Sequence, residues 1–421
     1  MYIYKFGGAS VKDAAGIKNV AHIIKNYGEK QLLVVVSAMG KITNQLVALT
    51  NAHVNNDDHK HFLFEEIKAF HYRIMEELFT DHKNPIYNDV ANTFVEIEWL
   101  LEEEAQDGAD YLYDQIVAVG ELVSSRILAA YLSLTGCVGI WQDARNYIKT
   151  DNNYTEANVF WDKTIHEIQK HLPSYTENGI VITQGFIGST SENFTSTLGR
   201  EGSDYSAAIF ASALNAKSVT IWKDVPGVLN ADPKWFDETE LIPHLSYHDA
   251  IELTYYGATV IHPKTIKPIQ NKGIPLYVRS FIHPEGEGTM INNTEAPLPV
   301  PSFIFKVDQV LISIFPKDFS FIIEENLSHI FAILHRNKVK VNTMLNSAIS
   351  FSICVDNQAH KIDALLKDLS ETFKVKYNEN MELVTIRYYN QQTIDRVTVD
   401  KEVLLEVKSR HTCQMVMKNK N

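Results

Sequence analysis

The chain has 421 residues, more than one hydrophobic core accommodates, so two or three domains are expected. Apolar residues make up 45% and charged residues 22%, a folded soluble composition, and the formal net charge of −13 argues against a nucleic-acid or anionic-membrane surface. Three cysteines, Cys137, Cys354 and Cys413, stand far apart without a CxxC, which argues against a disulfide or metal framework and for small buried side chains in a reducing compartment.

The N-terminus, Met1-Tyr2-Ile3-Tyr4-Lys5, enters a strand at once, so no signal peptide and a cytoplasmic location are expected. Strand Tyr2–Phe6 runs into Lys5-Phe6-Gly7-Gly8-Ala9-Ser10-Val11, and a helical pattern starts near Lys12. A glycine-rich strand-to-helix junction lets backbone N–H groups and a helix N-terminus face an anion, with Lys5 as a cation beside it. Strand Gln31–Ser37 and a helix from Ile42 follow. Gly40-Lys41-Ile42-Thr43 imitates the tail of a P-loop, but the required earlier glycine falls at Val35 and the match fails.

His61–Glu104 reads as mostly helical with a break near Asn84-Pro85, and its acidic run Glu102-Glu103-Glu104 as a solvated face. A helix from about Tyr111 carries Glu121 on an apolar face, with Ser124 and Ser125 one turn on. A carboxylate there is costly unless paired, so it is either a buried structural pair or a ligand for an ammonium group. Glu121 and Arg126 inside the apolar stretch 116–141 mark a buried helix and a following strand, Cys137–Gln142, rather than a membrane span.

A helix near Ala157 and strand Ile180–Thr183 precede the second glycine junction, Leu198-Gly199-Arg200-Glu201-Gly202-Ser203-Asp204, at the mouth of helix Ser203–Leu214. Strand Ser218–Lys223, a helix near Tyr247 and strand Ile274–Arg279 continue the alternation. It implies an α/β layered sheet with helices on both faces over residues 1–296. Pro297-Leu298-Pro299-Val300-Pro301 reads as a semi-rigid linker, 297–305. Beyond it the rhythm is βαββαβ over 306–378. A shortened repeat over 379–421 lacks its last helix and strand.

No HExxH and no protein-kinase catalytic loop occur, and the 16 histidines show no zinc spacing, so no resident metal site is expected. The polar groups suit an acceptor that is itself a carboxylate, ionised at neutral pH and in no need of a general base. Phosphorylating it requires cations to hold two anions together, and positioning.

In this order the motifs resemble the aspartokinases of the amino-acid-kinase superfamily. They are Lys5–Val11, Val36-Ser37-Ala38-Met39-Gly40-Lys41-Ile42-Thr43-Asn44, Gly120-Glu121, Thr183-Gln184-Gly185-Phe186, Thr197–Asp204, Lys223-Asp224-Val225-Pro226-Gly227-Val228, Ala231-Asp232-Pro233, Gly257-Ala258 and His262-Pro263. The two C-terminal units resemble tandem ACT domains, and no homoserine dehydrogenase follows, which implies the monofunctional form. The resemblance implies transfer of the ATP γ-phosphoryl group to the β-carboxylate of L-aspartate, with Mg²⁺ carried in on the ATP phosphates. It also implies an amino-acid effector at the ACT-like units and a homodimer or higher homo-oligomer.

Lys5 would bridge the acceptor carboxylate and the transferring phosphoryl group, with Gly7 and Gly8 supplying backbone donors. Arg200 would clamp the substrate α-carboxylate, Glu121 and Asp204 would balance its ammonium, and Ser37, Phe186 and Ser203 would line the pocket beside Thr43. Lys223, Asp224 and Lys234 would face the nucleotide, with Thr259 standing where a lysine often touches ATP. Ala9 stands for a usual threonine, Glu201 for a customary glycine and Lys234 for a common arginine. Lysine-responsive relatives carry aspartate where Asn342 stands and an acid after the serine where Ser347 precedes Ala348. Weak or absent lysine inhibition is therefore expected, with threonine or another small amino acid as effector. Two other readings stay open at this stage. One is a catalytically weak amino-acid-sensing subunit, the other a superfamily kinase for a different carboxylate such as glutamate.

Overall fold

The computed structural model describes residues 1–420 apart from 106, 237, 259–260, 296–299 and 319. Thr259 and the proline-rich core of the expected linker, Pro297–Pro299, lie outside the described residues. The chain divides into two compact units. The first comprises 1–228, 243–251 and 261–296, and the second 229–242, 252–260 and 297–421. The first unit is thus not the uninterrupted 1–296 of the sequence reading, because two short segments, 229–242 and 252–260, belong to the second.

The first unit begins with β1 (Tyr2–Phe6), a short helical turn Gly8–Val11, α1 (Ala14–Tyr27), β2 (Leu32–Val36), α2 (Ile42–Val54), α3 (His59–Leu78) and α4 (Ile86–Glu102). It continues with α5 (Ala109–Val117), α6 (Val119–Leu134), β3 (Gly139–Trp141), α7 (Trp161–Asn178), β4 (Ile180–Gln184), β5 (Ile187–Ser189), β6 (Thr195–Thr197), α8 (Gly202–Leu214) and β7 (Ser218–Lys223). It ends with β8 (His244–Ser246), α9 (Tyr247–Tyr256), α10 (Pro263–Gln270), β9 (Leu276–Ser280) and β10 (Thr289–Asn292), the last turns of α9 packing with the second unit.

Eight strands form one sheet in the order β3-β4-β2-β1-β7-β9-β10-β8, parallel except where β10 meets β9. The inner strands are apolar on both faces: Leu32–Val36 is buried throughout. This is the pattern of a parallel sheet covered by helices on each side. The helical stretch Ala109–Leu134 is long and apolar enough to cross a membrane, and most of its apolar residues are buried inside the protein.

Two expectations shift. The helix expected from Ala157 starts at Trp161, because the residues before it run as extended backbone: the Ala157 amide donates to the Thr197 carbonyl at 2.9 Å, Val159 bridges to Thr150, and the Phe160 amide donates to the Lys149 carbonyl at 2.8 Å. The short hairpin β5–β6, three residues a strand, is too brief to show a period in sequence.

The second unit contains β11 (Ser302–Pro316), α11 (Glu324–Arg336), β12 (Val341–Asn346), β13 (Phe351–Asp356), α12 (Ala359–Thr372), β14 (Phe373–Arg387), α13 (Gln391–Val397), β15 (Lys401–Lys408) and β16 (Thr412–Asn419). One antiparallel sheet joins them in the order β12-β13-β11-β14-β16-β15. The expected boundary at 378/379 falls inside the continuous strand β14, and the expected linker end, Ser302–Phe305, is already strand. The place of the fourth strand missing from the second repeat is taken by Ser302–Lys306, paired with Leu383–Arg387. The first repeat is therefore inserted into the second rather than placed before it. A bulge between Lys306 and Gln309 marks where β11 passes from one repeat to the other.

Candidate functional site

The sheet register sets the site. Phe6 lies beside Val36 and Trp222, and Val36 beside Gln184. The next residue in each chain segment, Gly7, Ser37, Lys223 and Gly185, therefore falls in one row at the carboxyl ends of four parallel strands. Such a row is where open α/β sheets bind ligands.

A cleft of about 610 Å³ opens over that row. Of the residues expected at the site, it is lined by Lys5, Gly8, Ser37, Thr43, Glu121, Phe186, Arg200, Ser203, Asp204 and Lys223. Gly7 precedes Gly8 at the start of the helical turn. Asp224 is exposed one residue beyond β7 and is not part of the lining. Lys234 is exposed in segment 229–242, which belongs to the second unit.

Lys5 alternates with Tyr4 and Phe6 on β1. Those aromatics join the apolar core, so Lys5 points to the other face, where it is 9% exposed. Its ammonium lies 2.6 Å from Asp204 Oδ1. Asp204 sits in the first turn of α8, where the helix dipole favours a carboxylate. A Cβ added to Gly7 would be 3.3 Å from Lys5 Nζ, so the ammonium lies directly against the glycine turn. At Gly8 a Cβ would meet the carbonyl oxygens of Ala38 and Gly40 at 2.8 Å, and only glycine fits. At Gly185 it would meet Ser203 Cβ at 2.4 Å, which ties the end of β4 to the start of α8.

Glu121 is 3% exposed on α6. Its Oε1 accepts the Ala38 amide at 3.2 Å, while Oε2 has no hydrogen-bond partner among the described residues. Burial pushes its carboxyl up to about 8, against the pull of the Ala38 amide and of Lys5. Glu121 lines the cleft, and no cation pairs with its free oxygen among the described residues. The hydroxyl of Ser124, one turn on, donates to the Ser37 carbonyl at 2.6 Å and holds the end of β2.

Arg200 is exposed in the loop before α8, and among the described residues its guanidinium has no partner. The neighbouring Glu201 has φ +53°, a left-handed backbone that favours glycine, and its Oε2 accepts the His262 amide at 3.0 Å. Phe186 is also left-handed, at φ +70°, held by the Ser206 hydroxyl on its amide at 2.9 Å and by the Leu198 amide on its carbonyl at 2.9 Å. In the second unit Asn342 is buried and engaged with Lys306, Gln309 and Asp356, while Ser347 lies exposed in the turn after β12, bonded to Ser350.

The cleft also contains Tyr113, Thr155, Glu156 and Glu201, which the sequence reading did not select for the site. Tyr113 stands one residue before Asp114, a buried acid two helical turns ahead of Glu121. That spacing on an apolar face is the signal that could have found it. Among the described residues no three His, Cys, Asp or Glu side chains gather to hold a metal ion.

Residues 1–280 match the Amino acid kinase family. The chain is 30% identical over 392 residues to the lysine-sensitive aspartokinase 3 of Escherichia coli strain K12, covering 91% of this chain and 86% of that one. It is 34% identical over 300 residues to the chloroplastic bifunctional aspartokinase/homoserine dehydrogenase 2 of Arabidopsis thaliana, covering 69% of this chain and 32% of that protein's length. Its fold superposes on E. coli aspartokinase III in complex with aspartate and ADP with a TM-score of 0.81, at 27% identity, over 99% of this chain and 96% of the other. The chain belongs to the amino acid kinase family and, within it, to the aspartokinases.

Proposed function

We propose that this chain transfers the γ-phosphoryl group of ATP to the β-carboxylate of L-aspartate, giving 4-phospho-L-aspartate and ADP. The observation that carries this reading is the charge arrangement in one cleft. A buried lysine lies against a glycine turn, and the lining also holds an exposed arginine and a buried carboxylate with one oxygen unbonded among the described residues.

An ionised carboxylate oxygen attacks the γ-phosphorus. The new P–O bond forms as the bond to the ADP oxygen breaks, and no proton moves. Lys5 neutralises the anions brought together there, and Gly7 and Gly8 let the phosphates approach the backbone. Arg200 offers a planar fork to the α-carboxylate, and Glu121 Oε2 faces the α-ammonium. Lys223 stands at the nucleotide side of the row. Mg²⁺, in this reading, arrives on the nucleotide phosphates and supplies charge neutralisation there.

The second unit is proposed to regulate. Its edge strand β12 exposes Met344 and Leu345, α11 exposes Phe331, and the segment before α11 exposes Phe321 and Ile323, which supports pairing of two copies into a homodimer or larger assembly. Asn342 Oδ1 accepts from the Lys306 ammonium at 2.8 Å, and its side-chain N–H₂ donates to Gln309 and Asp356, both at 2.8 Å. A cation of the chain itself is thus already placed there, which supports weak lysine inhibition and a smaller effector.

The test is ATP-dependent acyl phosphate formation trapped with hydroxylamine. Hydroxamate is expected with L-aspartate and not with L-glutamate. A glutamate-preferring product, or none with either acid, would overturn the reading.

A further inference from the structure

The hairpin β5–β6 delivers the chain into Leu198-Gly199-Arg200. Its outer strand, β6, pairs on one side with β5 alone. On its other side no strand follows, and unpaired backbone groups there would leave the arginine loop hanging from a free edge.

Side chains of α5 replace the missing strand. Gln115 gives its amide hydrogen to the Thr195 carbonyl at 2.8 Å and accepts the Thr195 amide at 3.1 Å. Asp114 accepts the Thr197 amide at 2.8 Å and the Thr197 hydroxyl at 2.6 Å. It also accepts the Thr155 amide, 3.1 Å from each of its oxygens. The carboxylate is 0% exposed and does not line the cleft. Its partners lead into residues that do. Thr155, at φ +71°, precedes Glu156, and a Cβ on Gly199 would meet Glu156 Cγ at 3.0 Å.

One buried carboxylate therefore joins the 155–156 wall of the cleft to the strand that leads into the Arg200 loop. We propose that Asp114, with Gln115 beside it, is the positioning residue for the arginine loop, fixing where the substrate α-carboxylate is clamped. Burial pushes its carboxyl up to about 6, against the donors that hold it down, so at neutral pH it is the ionised acceptor these contacts require. It acts through Arg200 and touches neither substrate nor phosphate. Asparagine in its place would turn an N–H₂ group toward a cluster of donors. Valine at Thr197 would remove only the hydroxyl bond. The inference rests on the reading of Arg200 as the aspartate clamp.

The test uses the full chain with Asp114→Asn and, in case that variant fails to fold, Thr197→Val. Amide hydrogen exchange without substrate should rise in 153–157 and 195–202 and stay unchanged elsewhere in the first unit. The KM for L-aspartate should rise about tenfold or more in Asp114→Asn, and less in Thr197→Val, with the KM for ATP within about twofold. Equal rises in both KM values, or exchange spread over the whole unit, would make Asp114 a fold support and overturn the proposal. So would unchanged exchange in the two segments. If wild type shows no aspartate-dependent turnover, the substrate reading fails, and the exchange measurement still decides whether Asp114 positions the loop.

Discussion

Lys5 and Asp204 form a buried ion pair, Nζ to Oδ1 at 2.6 Å, between the first strand of the sheet and the first turn of α8. The ammonium proposed to neutralise the phosphoryl group is thus balanced by a carboxylate of the protein itself. Lys5→Met should therefore do two things. Turnover should fall by about a hundredfold or more, since one such contact is worth roughly 3–4 kcal/mol in a transition state. The melting temperature should also drop, because Asp204 is left buried and unpaired. Adding Asp204→Asn should restore melting without restoring turnover. A Lys5→Met enzyme within about tenfold of wild-type turnover would remove Lys5 from the catalytic set.

Arg200 is exposed and has no hydrogen-bond or ion-pair partner among the described residues, so Arg200→Ala should leave the melting temperature almost unchanged. Truncating one side of a charge-paired contact costs roughly 2–5 kcal/mol, about thirtyfold or more in the KM for L-aspartate. The KM for ATP should move little. Steady-state kinetics with each substrate varied decides this, and equal losses for both would place Arg200 at the nucleotide.

Glu121 predicts a proton count. Its carboxyl is raised to about 8, so at pH 7 the ligand-free protein holds it mostly protonated. A substrate ammonium against Oε2 favours the ionised form. Binding of L-aspartate at pH 7 should release close to one proton, and none above about pH 9, where Glu121 is already ionised. Calorimetry in two buffers of different ionisation enthalpy measures it, with Glu121→Gln as the control that releases none. The sign for stability follows from the same shift. The native state binds the proton more tightly than the unfolded chain, so this stability is present at low pH and lost as pH rises through about 8. Proton-neutral binding at pH 7 would contradict the assignment.

Glu201 sets strain against a tether. A left-handed non-glycine backbone costs about 1–2 kcal/mol, while a hydrogen bond to a charged acceptor contributes roughly 1.5–3 kcal/mol. Glu201→Gly relieves the first and loses the second, so a net loss of about 1 kcal/mol is expected, and Glu201→Gln should lie close to wild type. Denaturant unfolding separates them. A Glu201→Gly protein more stable than wild type would show that the His262 bond contributes little.

Titration of L-lysine against activity at subsaturating aspartate tests the regulatory reading. With the Asn342 amide committed to Gln309 and Asp356 and its oxygen to Lys306, half-inhibition should need far more than micromolar lysine. Lys306→Met should sharpen lysine inhibition if the internal cation is what excludes the ligand. Micromolar inhibition of the wild type would refute the expectation.

The parallel layers were legible because each strand and helix has its own local period, and both glycine junctions because glycine marks turns and close approaches that a Cβ would block. What escaped was pairing over distance. The acid at 121 stands out on an apolar helix, but nothing local tells that its partner is the Ala38 amide, 83 residues away. Asp114 is equally plain as a letter, and its partner Thr197 is also 83 residues distant. Thr155 takes a left-handed backbone with no glycine to announce it. The second unit misled for a similar reason. Its two repeats were counted in sequence order, whereas Ser302–Lys306 waits for a partner beyond the whole first repeat.

That insertion gives the C-terminal sheet an order of completion. Phe303 and Phe305 lie on the half of β11 that pairs with Val384 and Ile386, and Phe303 packs in one core with Val384, Ile386, Cys413 and Met415. On a growing chain this half-strand emerges well before the strand it must meet, and until then it is an apolar edge open to other chains. The last strands made, β15 and β16, close the sheet on the far side of β14. A polypeptide cut after residue 378, at the apparent repeat boundary, would not be a smaller regulatory module. It would be a sheet with its earliest strand stranded, and its fate would be association with its own kind.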